Sequence, residues 1–141
     1  MSNESRVSII IAARNYARFL DEAIRSALAQ TVPCEVIYAD DASLDDSLAI
    51  ARSHGIVVLS SDRHLGVCTA RNRGDYFVFL DGDDRMPPDF IARHLAAISP
   101  GTPFVFGPAK AFGDGPHAKA YWTGLFYTFI DKRSVVGLIA T

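Results

Sequence analysis

Three carboxylates within four residues, Asp81-Gly82-Asp83-Asp84, close an unbroken apolar run, Tyr76–Leu80. Hard oxygen ligands at this density suit Mg²⁺ or Mn²⁺, ions that proteins usually share with a substrate's phosphates. A second acid pair, Asp40-Asp41, ends the run Cys34–Ala39 (CEVIYA), and a third run, Val7–Ala12 (VSIIIA), passes into Ala13-Arg14-Asn15. Opposite charge comes from Arg63, Arg71 and Arg73 around Gly66, where guanidinium groups could meet phosphate oxygens and a glycine lets the backbone approach. Singly, each has a plainer explanation: an acidic turn, an aspartate capping the next helix, a solvated basic face. Repetition at successive run ends is harder to explain by packing. Carboxylates brought close repel one another, and a bound cation relieves that repulsion.

These groups can act together only if the apolar runs are strands ending along one edge. Val7–Ala12 is rich in β-branched residues and reads as the first strand. Phe19, Leu20, Ala23, Ile24, Ala27 and Leu28 then recur at helical spacing, predicting an amphipathic helix that ends before Pro33. Cys34–Ala39 is the second strand. Ser43 with Asp46 forms a capping-box pattern, so a helix is expected from there to about Ser53, with Gly55 as its stop. Ile56–Leu59 is a short third strand, and Val67–Arg73 has room for about two helical turns. Tyr76–Leu80, apolar throughout, reads as a strand buried on both faces. Pro87-Pro88-Asp89 marks a helix start with proline in the first turn, and Phe90, Ile91, Leu95 and Ile98 make its apolar stripe.

Phe104–Phe106 and Ala118–Trp122 look like strands around a Gly/Pro-rich loop, whereas periodicity does not decide strand from helix for Phe126–Ile130 and Val135–Ile139. Strands alternating with helices imply an α/β fold: a mostly parallel sheet with flanking helices and right-handed crossovers. The carboxyl edge of that sheet would collect Asn15, Asp40, Asp41, Asp81, Asp83 and Asp84 in one crevice.

At 141 residues, 49% hydrophobic and 21% charged, the chain is one domain's worth, residues 1–141, with enough length for a core. A net charge of −2 and a pI near 6.0 provide no basic field, so nucleic acid is not an expected partner. Cys34 and Cys68 are too few for a disulfide framework and lack metal spacing. Met1–Arg6 is polar and no signal peptide is read, which makes the cytoplasm the default location. The apolar stretch Trp122–Ile139 calls for cover, by a second copy or by peripheral contact with a membrane surface. An EF-hand beginning at Asp81 would need glutamate where Ala92 stands, no P-loop is present, and Gly113-Asp114-Gly115 lacks a third glycine at Ala118.

In order, VSIIIAARNYARFLDEAIRSALAQT, VIYADDASLDDS, HLGVCTARNRG and YFVFLDGDD resemble the inverting family-two glycosyltransferases of GT-A fold, from about Val7 to Ile98. The resemblance implies a nucleotide-diphospho-sugar donor, most often a UDP-sugar, with Mn²⁺ or Mg²⁺ and an acceptor of unknown class (glycan, lipid or protein). By position it places Ala12, Ala13 and Arg14 in the nucleobase pocket, with Asp41 bonding the base. Gly66 to Arg71 would lie by the ribose and diphosphate. Asp81 and Asp83 match the family's Asp-x-Asp, with Asp83 the direct metal ligand. Alanine at position 12 replaces the family's usual proline, and the helix after Gly66 is short. Family members continue into an acceptor half that carries the catalytic base; nothing around Asp131 resembles that motif, and no base is assigned. A nucleotide-sugar-binding module without transfer is the alternative expectation.

Overall fold

The computed structural model describes residues 7–61, 74–99, 104–108 and 126–131. Their elements run β1 (Val7–Ala13), α1 (Ala17–Leu28), β2 (Cys34–Asp41), α2 (Ser47–Ser53), β3 (Val57–Ser61), β4 (Tyr76–Asp81), α3 (Phe90–Ala97), β5 (Phe104–Pro108) and β6 (Phe126–Asp131). The sheet has the order β3-β2-β1-β4-β6-β5. The first four strands in that order are parallel, and β6 pairs antiparallel with both β4 and β5. The expected α/β architecture, a mostly parallel sheet with flanking helices, is therefore the observed one.

Strand order reverses beside β1. The chain moves outward through β2 and β3, then returns to lay β4 on the other side of β1. Such a reversal leaves a crevice outside the carboxyl ends of the two strands, because the connections that leave them depart in different directions. Ala12 of β1 is in register with Ala39 on one side and Asp81 on the other, so the acidic turn opens into that crevice.

Side chains in register share a face, and successive residues alternate. One face carries Val7, Ile9, Ile11 and Ala13 of β1, Val36 and Tyr38 of β2, and Tyr76, Val78 and Leu80 of β4. These pack with Leu20, Ala23, Ile24 and Ala27 of α1, Ala51 of α2, and Phe90 and Ile91 of α3 in one core. On the other face, Ile10 and Ile37 are also buried, but Phe77 is half-buried and Phe79 is 37% exposed. β4 is thus not buried on both faces, as its composition suggests. An apolar run reports hydrophobicity, and what covers its second face is decided elsewhere in the chain.

Two helix starts differ from expectation. α2 begins at Ser47 with Asp46 as N-cap and no side-chain capping bond, so Ser43 and Asp46 form no capping box. α3 begins after Asp89, which leaves Pro87 and Pro88 ahead of the helix rather than in its first turn. Gly55 follows α2 with φ +67°, the left-handed conformation that stops a helix cheaply only in glycine. The undecided segment Phe126–Ile130 is strand, within β6, which lies between β4 and β5 in the sheet. The expected elements at 67–73, 118–122 and 135–139 lie outside the described residues. No helix among the described residues is long and apolar enough to cross a membrane.

Candidate functional site

Ala13 of β1, the β1–α1 loop, the β2–α2 loop and the turn after β4 meet at the crevice. The first two loops are knitted together. Asn15 N–H donates to Ser43 Oγ (2.9 Å), Tyr16 N–H to Ser47 Oγ (3.0 Å) and Ala17 N–H to Asp45 Oδ2 (3.0 Å), while Leu44 N–H donates to Asn15 Oδ1 (2.8 Å). A helix leaves its first N–H groups without partners. Here α1 has no cap from Tyr16, its own N-cap residue, and Asp45 of the next loop caps it instead. Burial pushes the Asp45 carboxyl up, but bonds from the Ser47 hydroxyl and from the Ala17 and Ser47 N–H groups outweigh it and hold the group below the usual range. Asn15 and Ala42 take positive φ (58° and 59°) to make these loops.

Asp40 and Asp41 part company. Asp40 is in register with Ala13 and faces the helices, 5% exposed, where Tyr38 donates its hydroxyl (2.9 Å) and Ser43 its N–H (3.1 Å). Its carboxylate shapes the β2–α2 loop and does not join the crevice, because strand alternation sends it to the other side of the sheet. Asp41, two residues beyond Ala39, lies on the face shared by Ala12 and Asp81. The six expected groups therefore do not all converge.

The acidic turn is clamped on three sides. Asp84 N–H donates to Asp81 C=O (3.1 Å), closing the turn. Downstream, Arg85 pairs with Glu22, Met86 N–H donates to Ser26 Oγ (3.1 Å), and the Gln30 amide bonds Pro87 C=O (2.9 Å) and Ile91 N–H (3.0 Å). Beneath the turn, Gly82 is buried: a Cβ there would lie 2.7 Å from Ala13 Cβ and 3.1 Å from Tyr16 Cγ and Cδ1. Only glycine fits so close an approach of backbone to neighbour.

The carboxylates above this floor face one another. Burial, then Asp84 and Asp83, push the Asp81 carboxyl above its ordinary value. Asp83, then burial, then Asp81 and Asp84 do the same to the Tyr16 phenol, which stays neutral. No hydrogen bond or ion pair engages the Asp81, Asp83 or Arg14 side chains among the described residues. No group of three His, Cys, Asp or Glu side chains converges as a metal cage there. Two or three mutually repelling carboxylates fit a hard cation that takes its other ligands from substrate.

Ala12, Asp41 and Asp81 share one sheet face at the carboxyl edge, with Arg14 and Asp83 in the loops that leave it, whereas Ala13 faces the helix side with Asp40. Gly66 and Arg71, with Arg63 and Arg73, lie outside the described residues. Tyr16, Ser47 and Gln30 were missed as supports. Ser43-x-x-Asp46 signalled a loop-to-helix boundary, but its partner at Asn15 is not local. A separate recess of about 350 Å³, lined by residues including Leu28, Val32 and Cys34, opens at the amino end of β2, away from these acids. Burial there pushes the Cys34 thiol up to about 11, which makes it a poor nucleophile.

The family model described as glycosyl transferase family 2 matches residues 8–137. The chain belongs to glycosyl transferase family 2. Among curated relatives of this family-2 chain, the cholesterol galactosyltransferase of Borreliella burgdorferi is 34% identical over 90 residues, covering 56% of this chain and 25% of its own. Among solved structures, the mannosyltransferase PcManGT from Pyrobaculum calidifontis, in complex with GDP-Man and Mn²⁺, superposes with a TM-score of 0.71 at 18% identity, covering 97% of this chain and 47% of its own. Glucosyl-3-phosphoglycerate synthase from Mycobacterium tuberculosis, in complex with Mn²⁺, UDP and glucosyl-3-phosphoglycerate, gives 0.62 at 17% identity, covering 92% and 58%. The fold is that of GT-A glycosyltransferases. The family-2 chain spans about a quarter of that curated relative and about half of these structures.

Proposed function

We propose that this is the nucleotide-sugar-binding domain of a glycosyltransferase that moves a sugar from a nucleotide-diphospho-sugar, a UDP-sugar, to an acceptor hydroxyl with Mn²⁺ or Mg²⁺. The observation that carries the reading is the Asp81-Gly82-Asp83 turn, clamped at the strand-order reversal, with two carboxylates that have no partner among the described residues and Asp41 on the same sheet face as Asp81. The ligands bound in the structural relatives, GDP-Man or UDP with Mn²⁺, support it.

In this reading Ala12, on the face shared by Asp41 and Asp81, leaves space for the base because its side chain ends at Cβ, Ala13 contributes backbone only, and Asp41 accepts a base N–H. Arg14, exposed and unpaired among the described residues, supplies positive charge near the donor, and Gly66 to Arg71 serve the ribose and diphosphate. Asp83, with Asp81, holds the cation, which when bound offsets the charge growing on the diphosphate leaving group. The acceptor oxygen attacks the anomeric carbon from the face opposite the diphosphate, the carbon–oxygen bond to the diphosphate breaks, and a carboxylate base takes the hydroxyl proton. That base is not assigned to any residue here. The free Cys34 thiol accords with a cytoplasmic location.

Calorimetric titration of UDP with and without Mn²⁺ tests the site. Asp83→Asn is expected to abolish the Mn²⁺-dependent part of binding while thermal unfolding stays unchanged; equal affinity in the mutant would sink the assignment. Release of sugar from a donor panel by the purified protein supports transfer, whereas metal-dependent binding without turnover supports the binding-module alternative.

A further inference from the structure

We propose that Tyr16 is a positioning residue for the metal-binding turn, its ring fixing where the Asp81 and Asp83 carboxylates stand. The inference rests on the reading of Asp81 and Asp83 as metal ligands given above.

Two backbone anchors hold Tyr16. Its N–H donates to Ser47 Oγ (3.0 Å), and its carbonyl accepts from the N–H groups of Phe19 and Leu20 (2.9 Å each). Ser47 is itself fully buried and bonded to Asp45. The ring therefore projects from a fixed point at the start of α1. A Cβ on Gly82 would lie 3.1 Å from Tyr16 Cγ and Cδ1, tighter than ordinary contact, so the ring lies beneath the turn and leaves it less than a methyl group's room to sink toward α1. The strand β4 and the Arg85–Met86 contacts hold the ends of the turn, but neither sets the height of its middle. Tyr16 does, together with Ala13.

Carboxylates meant to share one cation must be set to within a fraction of an ångström, and the groups that orient ligands govern affinity as strongly as some ligands do. A ring that merely filled space would change stability and leave metal affinity alone. One that positions the turn changes metal affinity even in a folded variant.

Mn²⁺ binding by the 141-residue protein with UDP present, followed by the electron paramagnetic resonance of free Mn²⁺, separates the two. Tyr16→Leu is expected to weaken Mn²⁺ by about tenfold or more, and Tyr16→Phe to stay within about threefold of the unmutated protein. Folding of each variant is checked by circular dichroism. Unchanged Mn²⁺ affinity in folded Tyr16→Leu overturns the proposal, and so does a Phe variant as weak as the Leu variant, since the hydroxyl would then be the active part. Should Tyr16→Leu fail to fold, Gly82→Ala disturbs the same contact from above and is expected to lose Mn²⁺ affinity similarly; a folded Gly82→Ala of full affinity overturns the idea. If the unmutated protein binds no Mn²⁺ with UDP, the metal reading itself fails, which is a distinguishable result.

Discussion

Ala13 and Gly82 pack so closely that a Cβ on the glycine would come within 2.7 Å of the alanine Cβ. The backbone alone fixes the position of each Cβ, so the clash cannot be relieved by turning a side chain. Gly82→Ala is expected to destabilise the fold by about 1–3 kcal/mol, the usual cost of overpacking. Ala13→Gly in the same protein should recover part of that loss. Urea unfolding of the single and double mutants measures both; equal stability of Gly82→Ala and the unmutated protein would mean that the turn is not seated as described.

Removing the Asp40 carboxylate leaves the Ser43 N–H without its acceptor and the buried Tyr38 hydroxyl with only its longer bond to Ala13 C=O (3.4 Å). Asp40→Ala is expected to cost about 1–3 kcal/mol, from one donor left without an acceptor and another left with a weaker one. Asp40→Asn keeps one acceptor and should cost about half as much. The stability loss should exceed that of Asp83→Asn, a residue with no partner to lose among the described residues. The reverse ranking in chemical denaturation would overturn the division of labour between the two acids.

Asp81 gives a pH-dependent signature. Its folded value is raised above the ordinary 3.8 by burial and by Asp84 and Asp83. The folded state then holds the proton more tightly than the unfolded one, so the group's contribution to stability is full below that value and is lost as pH rises through the raised one. Asp81→Asn should accordingly stabilise the metal-free protein at pH 7, by under about 1 kcal/mol because the side chain is open to solvent. The gain should shrink toward pH 4. Denaturation midpoints at the two pH values decide, and an equal or larger gain at pH 4 would contradict it.

Ala42 carries a φ of 59° that L-residues adopt at a cost of about 1–2 kcal/mol. Ala42→Gly is expected to raise stability modestly, by up to about 1 kcal/mol after glycine's extra unfolded-state freedom is counted. Gly55→Ala should do the opposite by a similar amount. Nothing lies within 4 Å of the Gly55 site, so the cost there is conformational alone. Thermal unfolding of the pair in opposite directions is the check.

The parallel part of the sheet was legible because it depends on order and spacing: β-branched runs that end in acids, separated by helical periodicity. β1, β2 and β4 begin within a residue of where composition put them. What could not be read depends on partners far along the chain. Ser43 looks like a cap for its own helix, yet it serves Asn15, 28 residues earlier. Asp40 and Asp41 are indistinguishable as letters, and only the register with Ala13 and Ala12 assigns one to the core and the other to the crevice. Tyr16 reads as a turn residue until Gly82 is seen beneath the acids. Phe79 reads as core because its face of the sheet is invisible to a local pattern.

The cap that α1 takes from Asp45 has a consequence for how the chain assembles. The first strand–helix unit, alone, cannot complete the opening turn of its helix, since the acceptors for the N–H groups of Tyr16 and Ala17 arrive about thirty residues later. On a ribosome or after a cut between β1 and β2, that unit would stay frayed at the very end that carries Tyr16. The two halves of β1-α1-β2-α2 therefore open and close as one cooperative block, and the platform beneath the acidic turn forms only when the second loop has locked in place.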